Sequence, residues 1–335
     1  MPQINIAING FGRIGRQTFK VAVKNKNIKV VAVNDLTDTK TLAHLLRHDT
    51  AYGHFDLQVD FDEKNLIIKG KKYPVFAEKE PSLLPWKKLK VDVVLECTGR
   101  FTKKEDAEAH LKAGARKVII SAPAKGGGVP TYVRGVNCGK IKNEKSLIIN
   151  NASCTTNCIA PVMAILEEKF GVEKAFMTTA HGYTADQVLQ DGPHKDLRRA
   201  RAAAENIIPT TTGAAKAVGE AIPSLNGIFD GLAFRVPVPT VSVSDITAVL
   251  KKNTSKEFLN KAIVDASKIA RFSGILTTTE EPLVSSDFVG NQFSSIVDLN
   301  LTNVVGGNLV KIVAWYDNEV GYAHRIVEMA ELFAG

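Results

Sequence analysis

The chain has 335 residues, of which 44% are hydrophobic and 23% charged, with a formal net charge of +8. This is enough apolar material to bury a full core in two domains, and no apolar run is long enough to span a membrane as a helix. Four cysteines without framework or zinc-ligand spacing argue against a disulfide scaffold and imply no metal.

Met1, Pro2 and Gln3 lead directly into a strand pattern, without the charged and apolar regions of a secretory signal, so a cytoplasmic location is expected. Residues 3–9 form that apolar strand, and Gly10-Phe11-Gly12-Arg13-Ile14-Gly15 follows at once, opening a helical run from Arg16 to Lys24. The next apolar run, Val30 to Val33, ends at Asp35, twenty residues beyond Gly15. Glycine punctuates many strand-to-helix turns, but strand, glycines, helix, strand and acid in this order predict a dinucleotide-binding unit. Gly10 permits the tight turn, Gly12 lets a pyrophosphate approach the backbone, and Gly15 lets helix and strand pack. A carboxylate at Asp35 accepts ribose hydroxyls and repels an added phosphate, which favours NAD over NADP.

Two further strands are expected at Val91 to Glu96, leading into Cys97-Thr98-Gly99, and at Lys117 to Ser121. Between them lies an amphipathic helix capped by Thr102 and closed by Gly114. Alternating strands and helices predict a doubly wound parallel sheet with ligands beyond the carboxyl ends of its strands. Thr98, Gly99 and Ser121 fall at those ends, suited to cofactor contact or to plain turn chemistry. A strand from Ser146 to Asn150 would complete the sheet.

The motif Asn150-Asn151-Ala152-Ser153-Cys154-Thr155-Thr156-Asn157-Cys158 places a thiol between that strand and a helical pattern from Ile159 to Phe170. A thiol at a helix start meets unpaired N–H groups and the positive end of the helix dipole, which favour thiolate. The neighbouring hydroxyls and amides are residues that cap a helix or hold an anion. Buried cysteines are commonly inert packing, and that reading suits Cys158 one turn on and Cys97 in its strand, while Cys138 lies in a Gly/Asn loop.

Next, Ala175 to Ala180 reads as a strand delivering His181 into Gly182-Tyr183-Thr184, which makes His181 the candidate base. His44, His48 and His54 sit in a loop-rich stretch, His110 on an exposed helix, His194 in a loop and His324 in the last helix. The segment from Tyr183 to Asn206 is long for a plain connection and marks a functional or interface segment. Val236 to Val249 alternates as a strand, Val310 to Asp317 is another, and a final helix runs from Glu319 to Phe333. By position alone Asn318 would be an ordinary helix cap. The basic residues fall in short scattered groups such as 69–72 and 87–90, typical of solvated faces, so nucleic-acid binding is at most a secondary role.

These residues resemble the phosphorylating glyceraldehyde-3-phosphate dehydrogenase family along nearly the whole chain. The motifs are Asn-Gly-Phe-Gly-Arg-Ile-Gly (9–15), Glu-Cys-Thr-Gly (96–99), Ala-Ser-Cys-Thr-Thr-Asn-Cys (152–158), His-Gly-Tyr-Thr (181–184) and Arg-Arg-Ala-Arg-Ala-Ala-Ala (198–204). They continue through Thr-Thr-Thr-Gly-Ala-Ala-Lys (210–216), Phe-Arg-Val-Pro (234–237) and Trp-Tyr-Asp-Asn-Glu-Val-Gly-Tyr (315–322). The resemblance implies an α/β fold: a Rossmann domain over 1–153 and 318–335, and an inserted α+β catalytic domain over 154–317 with a mostly antiparallel sheet. It implies Cys154 as the nucleophile, passing through hemithioacetal and thioester, with His181 as base and with the Cys154 N–H steadying the oxyanion.

For the cofactor NAD it implies Gly10, Gly12, Arg13, Ile14, Gly15, Asp35, Thr98, Gly99 and Ser121, with Asn318 on the carboxamide and Tyr322 nearby. Thr184 and Arg235 would hold the phosphate of glyceraldehyde-3-phosphate, and Ser153, Thr155, Thr212, Gly213 and Arg199 the attacking inorganic phosphate. Without the resemblance, the arginines would be a solvated cluster and the threonines a helix cap. It also implies a homotetramer. The sister activity on erythrose-4-phosphate uses the same cysteine and histidine and is the alternative. A thiol activated in this way is also prone to oxidation.

Overall fold

Apolar runs at β1 (Ile4–Asn9), β2 (Ile28–Asn34) and β8 (Val93–Glu96) form the centre of the first sheet and are largely buried, as the strands of a parallel sheet usually are. The computed structural model describes residues 3–335; Met1 and Pro2, the start of the expected N-terminal lead-in, lie outside the described residues. Eight strands line up as β10 (Ile148–Asn150), β9 (Lys117–Ile120), β8, β1, β2, β7 (Lys71–Phe76), β6 (Asn65–Ile68) and β5 (Val59–Phe61). Pairing is parallel from β10 to β7, while β6 and β5 add an antiparallel edge. The helices of this unit are α1 (Arg13–Ala22), α2 (Thr39–Arg47) and α3 (Lys104–Lys112).

Three expectations change here. The cap of α3 is Lys103, without a side-chain bond, and Thr102 is buried with its carbonyl accepting the Lys125 N–H at 2.9 Å. His110 is completely buried, because it lies one turn from Ala107 on the face that packs inward. His44, His48 and His54 are not in a loop: they stand on α2 and on a short pair, β3 (His48–Asp49) with β4 (Gly53–His54), their rings 4.9 and 4.8 Å apart in sequence.

The second unit opens with α4 (Cys154–Phe170) and β11 (Val172–Gly182), followed by β12 (Ile208–Thr211), α5 (Ala214–Ala221), β13 (Phe229–Val236) and β14 (Ser242–Leu250). Then come α6 (Lys256–Ser267), β15 (Leu276–Thr279), β16 (Ser295–Val305) and β17 (Leu309–Tyr316). The sheet runs β12-β13-β11-β14-β17-β16-β15, parallel at β11/β13 and β15/β16 and antiparallel elsewhere. The alternating run from Val236 to Val249 is therefore two strands, broken at 237–241, where Val241 takes φ +69°.

By internal contacts the first unit holds residues up to Tyr132, Cys138–Ala152 and Ala323–Gly335, and the second holds Val133–Asn137 and Ser153–Tyr322. Residues 133–137 and 318–322 thus group with the second unit rather than the first. The last helix, α7 (Val320–Ala334), returns to the first unit from Ala323 onward, burying Ile326, Met329, Ala330 and Phe333. Asn25 donates to Glu331 at 2.6 Å, and Lys117 donates to the Phe333 carbonyl.

The glycine turn shows why two of its three glycines are structural. A Cβ on Gly15 would lie 2.0 Å from the Gly10 carbonyl oxygen, whereas one on Gly12 would meet nothing within 4 Å. Gly15→Ala should therefore lower stability by about 3 kcal/mol or more, and Gly12→Ala by less than about 1 kcal/mol, in urea unfolding of the two variants.

Candidate active site

Ser153 starts α4 by accepting the Thr156 N–H on its hydroxyl at 3.0 Å, so Cys154 is the first helical residue. The N–H and hydroxyl of Thr155 turn toward the Cys154 sulfur. β11 brings its last residues alongside β13 and β14, pairing His181 with Arg235 on one side and Ser242 on the other. The result is a Cys154 Sγ to His181 Nε2 separation of 3.5 Å.

The proton inventory of that imidazole follows from its neighbours. Gly182 presents a carbonyl 2.6 Å from Nδ1, and a carbonyl can only accept, so Nδ1 carries the hydrogen. Nε2 is left with a lone pair facing the thiol. Burial, then the Arg235 guanidinium, push the histidine down to about 4. Burial also pushes the Cys154 thiol up, against the pull of Arg235 and the Thr155 groups. The expectation that the helix start alone favours thiolate is thus corrected: burial outweighs it. What relieves both penalties is charging the two groups together, since proton transfer from Sγ to Nε2 creates an ion pair in place of a lone charge.

Tyr316, absent from the sequence-derived site, braces this pair. Its hydroxyl bridges Thr155 Oγ1 at 2.8 Å and Thr179 Oγ1 at 3.0 Å, and its ring stands edge-on to His181. Burial and the nearby thiols raise the phenol well above its usual range, so it stays a hydrogen-bonding strut.

Around the pair lie the cationic and hydroxyl groups expected for anions. Arg235 Nη1 donates to Thr184 Oγ1 at 2.6 Å, bringing those two predicted partners together. Arg199 donates from Nε to Thr210 at 2.9 Å and from Nη1 to Asp186 at 2.6 Å, while Thr184 donates to the other Asp186 oxygen. Asp186 therefore bridges residues assigned to two different phosphates, and nothing in the sequence pattern singled it out. Thr212 accepts the Ala214 N–H at 3.2 Å and Gly213 is the N-cap of α5. Thr156 links this turn to the start of α4, lying 2.8 Å from Ser153 Oγ and donating to the Ala214 carbonyl at 3.4 Å. The Thr155 hydroxyl is shared between Tyr316 and the Cys154 sulfur, and its backbone N–H also faces the thiol.

In the first unit, a cleft of about 290 Å³ lies beyond the carboxyl ends of β1, β2 and β8, lined among others by Gly10, Gly12, Asp35, Lys79 and Thr98. Its place at the strand ends is that of a dinucleotide cleft. The residues fit such a group. The start of α1 has no side-chain cap, Gly12 leaves open space beside it, and Asp35 ties the turn together by accepting the Phe11 N–H at 2.7 Å and the Thr37 N–H at 3.0 Å. Arg13 and Ile14 stand in the first turn of α1, with Arg13 paired to Asp49 at 2.9 Å. Gly99 takes φ +69°, and Ser121 bonds to the Cys97 thiol, which burial and the Glu96 charge push up to about 12. Lys79 on the cleft wall was not anticipated, lying outside any motif.

Asn318 accepts the Ser242 hydroxyl at 3.1 Å, and it is Asp317 that caps α7, taking the N–H groups of Glu319 and Val320 at 2.9 Å. Asn318 and Tyr322 are both buried in the second unit. Cys158 is fully buried, as core packing requires. No described helix is long and apolar enough to cross a membrane.

Comparison with known proteins agrees along the whole chain. Residues 4–104 match the model of the NAD binding domain of glyceraldehyde 3-phosphate dehydrogenase, and residues 153–318 match its C-terminal domain. The chain is 54% identical over 331 residues to a glyceraldehyde-3-phosphate dehydrogenase of Geobacillus stearothermophilus, covering 99% of this chain and 98% of that protein. It is 54% identical over 329 residues to the one from Thermotoga maritima, covering 98% of each. Against glyceraldehyde-3-phosphate dehydrogenase 1 of Bacillus subtilis the identity is 51% over 331 residues, 99% of this chain and 98% of that one.

Two outcomes follow from the geometry. In His181→Asn the thiolate loses the cation that offsets its burial, so the inflection in the pH dependence of Cys154 alkylation by iodoacetamide should move to higher pH by about one unit or more. In Asp186→Asn a carboxylate leaves the arginine cluster, so inorganic phosphate should bind several-fold more tightly by calorimetry, without loss of the alkylation rate.

Proposed function

The chain belongs to the glyceraldehyde-3-phosphate dehydrogenase family of NAD-dependent oxidoreductases, and from that premise we propose that Cys154 and His181 carry the oxidative phosphorylation of glyceraldehyde-3-phosphate to 1,3-bisphosphoglycerate. The observation that supports this most strongly is the 3.5 Å approach of Sγ to an Nε2 whose lone pair is enforced by the Gly182 carbonyl. Nε2 receives the thiol proton as sulfur attacks the aldehyde carbon, returns it to the alkoxide, and takes it back as the C–H bond breaks. NAD, when bound, accepts the hydride that leaves that carbon. The product on sulfur is a thioester, which inorganic phosphate attacks, expelling the Cys154 thiolate. Covalent catalysis suits the task because oxidation is conserved in a bond that phosphate captures before water does.

Arg235 and Thr184 are the residues for the substrate's own phosphate, supported by their mutual contact and their place beside His181. Arg199, with Ser153, Thr155, Thr212 and Gly213, is the set for the attacking phosphate. The Cys154 N–H and His181 steady the oxyanion. Gly10, Gly12, Arg13, Ile14, Gly15, Asp35, Thr98, Gly99 and Ser121 hold the adenosine and pyrophosphate, and Asn318 with Tyr322 the nicotinamide. The relatives' names do not favour erythrose-4-phosphate as substrate.

The same reading makes the protein a cytoplasmic homotetramer. Leu189, Leu197 and Ile207, in and just after the long segment, are 83%, 81% and 68% exposed, which is unfavourable in a monomer and suits a subunit contact.

NADH formation from glyceraldehyde-3-phosphate should require inorganic phosphate for steady turnover and should exceed the rate on erythrose-4-phosphate. Cys154→Ser should lower kcat by about 10³-fold or more. Phosphate-independent turnover, or a Cys154→Ser variant near normal, would refute the assignment.

A further inference from the structure

The first unit buries two titratable side chains for which the reaction has no use. Glu96 is 1% exposed and His110 is inaccessible. Neither reaches solvent, so their presence needs another explanation.

Glu96, Asn9 and Asn34 are the last residues of β8, β1 and β2, and the parallel register pairs Asn9 with Glu96 on one side and with Asn34 on the other. Register partners project to the same side of a sheet, so three polar side chains stand in a row at its carboxyl edge. They are joined. Asn9 Nδ2 donates to Glu96 Oε2 at 2.6 Å, Asn34 Nδ2 donates to Asn9 Oδ1 at 2.7 Å, and Asn34 exchanges bonds with the Glu78 backbone at 2.9 Å in each direction.

At the other end, Trp86 Nε1 donates to His110 Nδ1 at 3.1 Å. An indole nitrogen only donates, so Nδ1 accepts and the hydrogen of the ring lies on Nε2, directed at Glu96 Oε2 3.0 Å away. The remaining Glu96 oxygen takes the Thr98 N–H at 2.8 Å and the Thr98 hydroxyl. Both carboxylate oxygens are acceptors only, and four donors converge on them. Thr98 in turn seats against Gly10, where a Cβ would come within 2.7 Å of the Thr98 nitrogen. Asn9, Asn34, Glu78 and Thr98 all line the cleft that holds Gly12 and Asp35.

The row of bonds therefore runs beneath the cleft from one wall to the other. We infer that Glu96 and His110 are positioning residues for the dinucleotide: they fix Thr98 and, through Asn9 and Asn34, the Glu78 backbone before the cofactor arrives. This rests on reading the cleft as the NAD site. Preorganisation of that kind acts on affinity and leaves the chemistry at Cys154 alone. The carboxylate must be held by donors on every side, and His110 supplies one that no neighbouring backbone provides.

The test is equilibrium binding of NAD to the full-length apoenzyme by calorimetry, beside Cys154 alkylation without NAD and thermal unfolding. His110→Leu removes the donor to Glu96 and should weaken NAD binding about tenfold or more, with alkylation within about twofold of the unchanged protein. His110→Gln keeps an N–H for Glu96 and should recover most of that affinity. Glu96→Gln places N–H groups against donors and should weaken NAD binding at least as much. Amide exchange at Thr98 should quicken in the weakened variants. If His110→Leu, folded at the assay temperature, binds NAD as tightly as the unchanged protein, the positioning role is wrong. A His110→Gln variant no better than His110→Leu would overturn it too, as would parallel loss of NAD binding and alkylation. Failure of the unchanged protein to bind NAD would instead sink the cofactor assignment itself.

Discussion

A thiol and an imidazole held side by side in a largely desolvated site each carry charge at less cost when the other does. With Cys154 Sγ and His181 Nε2 3.5 Å apart and largely out of water, a thiolate or an imidazolium alone is penalised, and the proton between them becomes the variable that chemistry uses. Much of the second unit can be understood as the means of holding that distance. The cap by Ser153 fixes where α4 begins, the β11/β13 register fixes where His181 ends up, and Tyr316 spans the two by way of Thr155 and Thr179. Gly182 is closely packed, since a Cβ would lie 3.0 Å from the Val238 carbonyl oxygen, and its own carbonyl faces Nδ1.

Electrostatics around the pair are arranged as a gradient rather than a single charge. Arg235 sits closest and opposes protonation of His181, while Asp186 tempers both Arg199 and Arg235. An arginine cluster left bare would draw any anion in the cell. With a carboxylate already seated there, an incoming phosphate must compete, and only one that gains several contacts at once does so profitably.

Legibility of the fold and site followed a physical divide. Apolar periodicity and glycine placement are local properties, so the strand-turn-helix around Gly10, Gly12 and Gly15, the helix start at Cys154 and the strand end at His181 were readable from residue order. Partners of buried polar groups are not local. His110 looked exposed because charged residues flank it on Lys104–Lys112, although its i−3 neighbour Ala107 marks the inward face. Asp317 and Asn318 could not be ranked as caps without the turn between β17 and α7. Tyr316, Asp186 and Lys79 depend on pairings between distant segments that no spacing rule encodes. The division near residue 320 was displaced for a similar reason, since a helix crossing from one unit to another carries no mark of where its contacts change.

The return of α7 to the first unit has a consequence for how the protein is made. The sheet from β1 to β10 leaves the ribosome long before the residues from Ala323 onward that supply Ile326, Met329 and Phe333 to its core. Residues 153–322 are translated in between, which takes roughly 10 to 30 seconds at ordinary elongation rates. Through that interval the dinucleotide unit is a nascent chain with one of its helices missing, and its apolar surface is a natural client for a chaperone. The inserted catalytic unit, by contrast, comes off the ribosome as one nearly uninterrupted stretch, so all of its strands are available before the first unit receives its last helix.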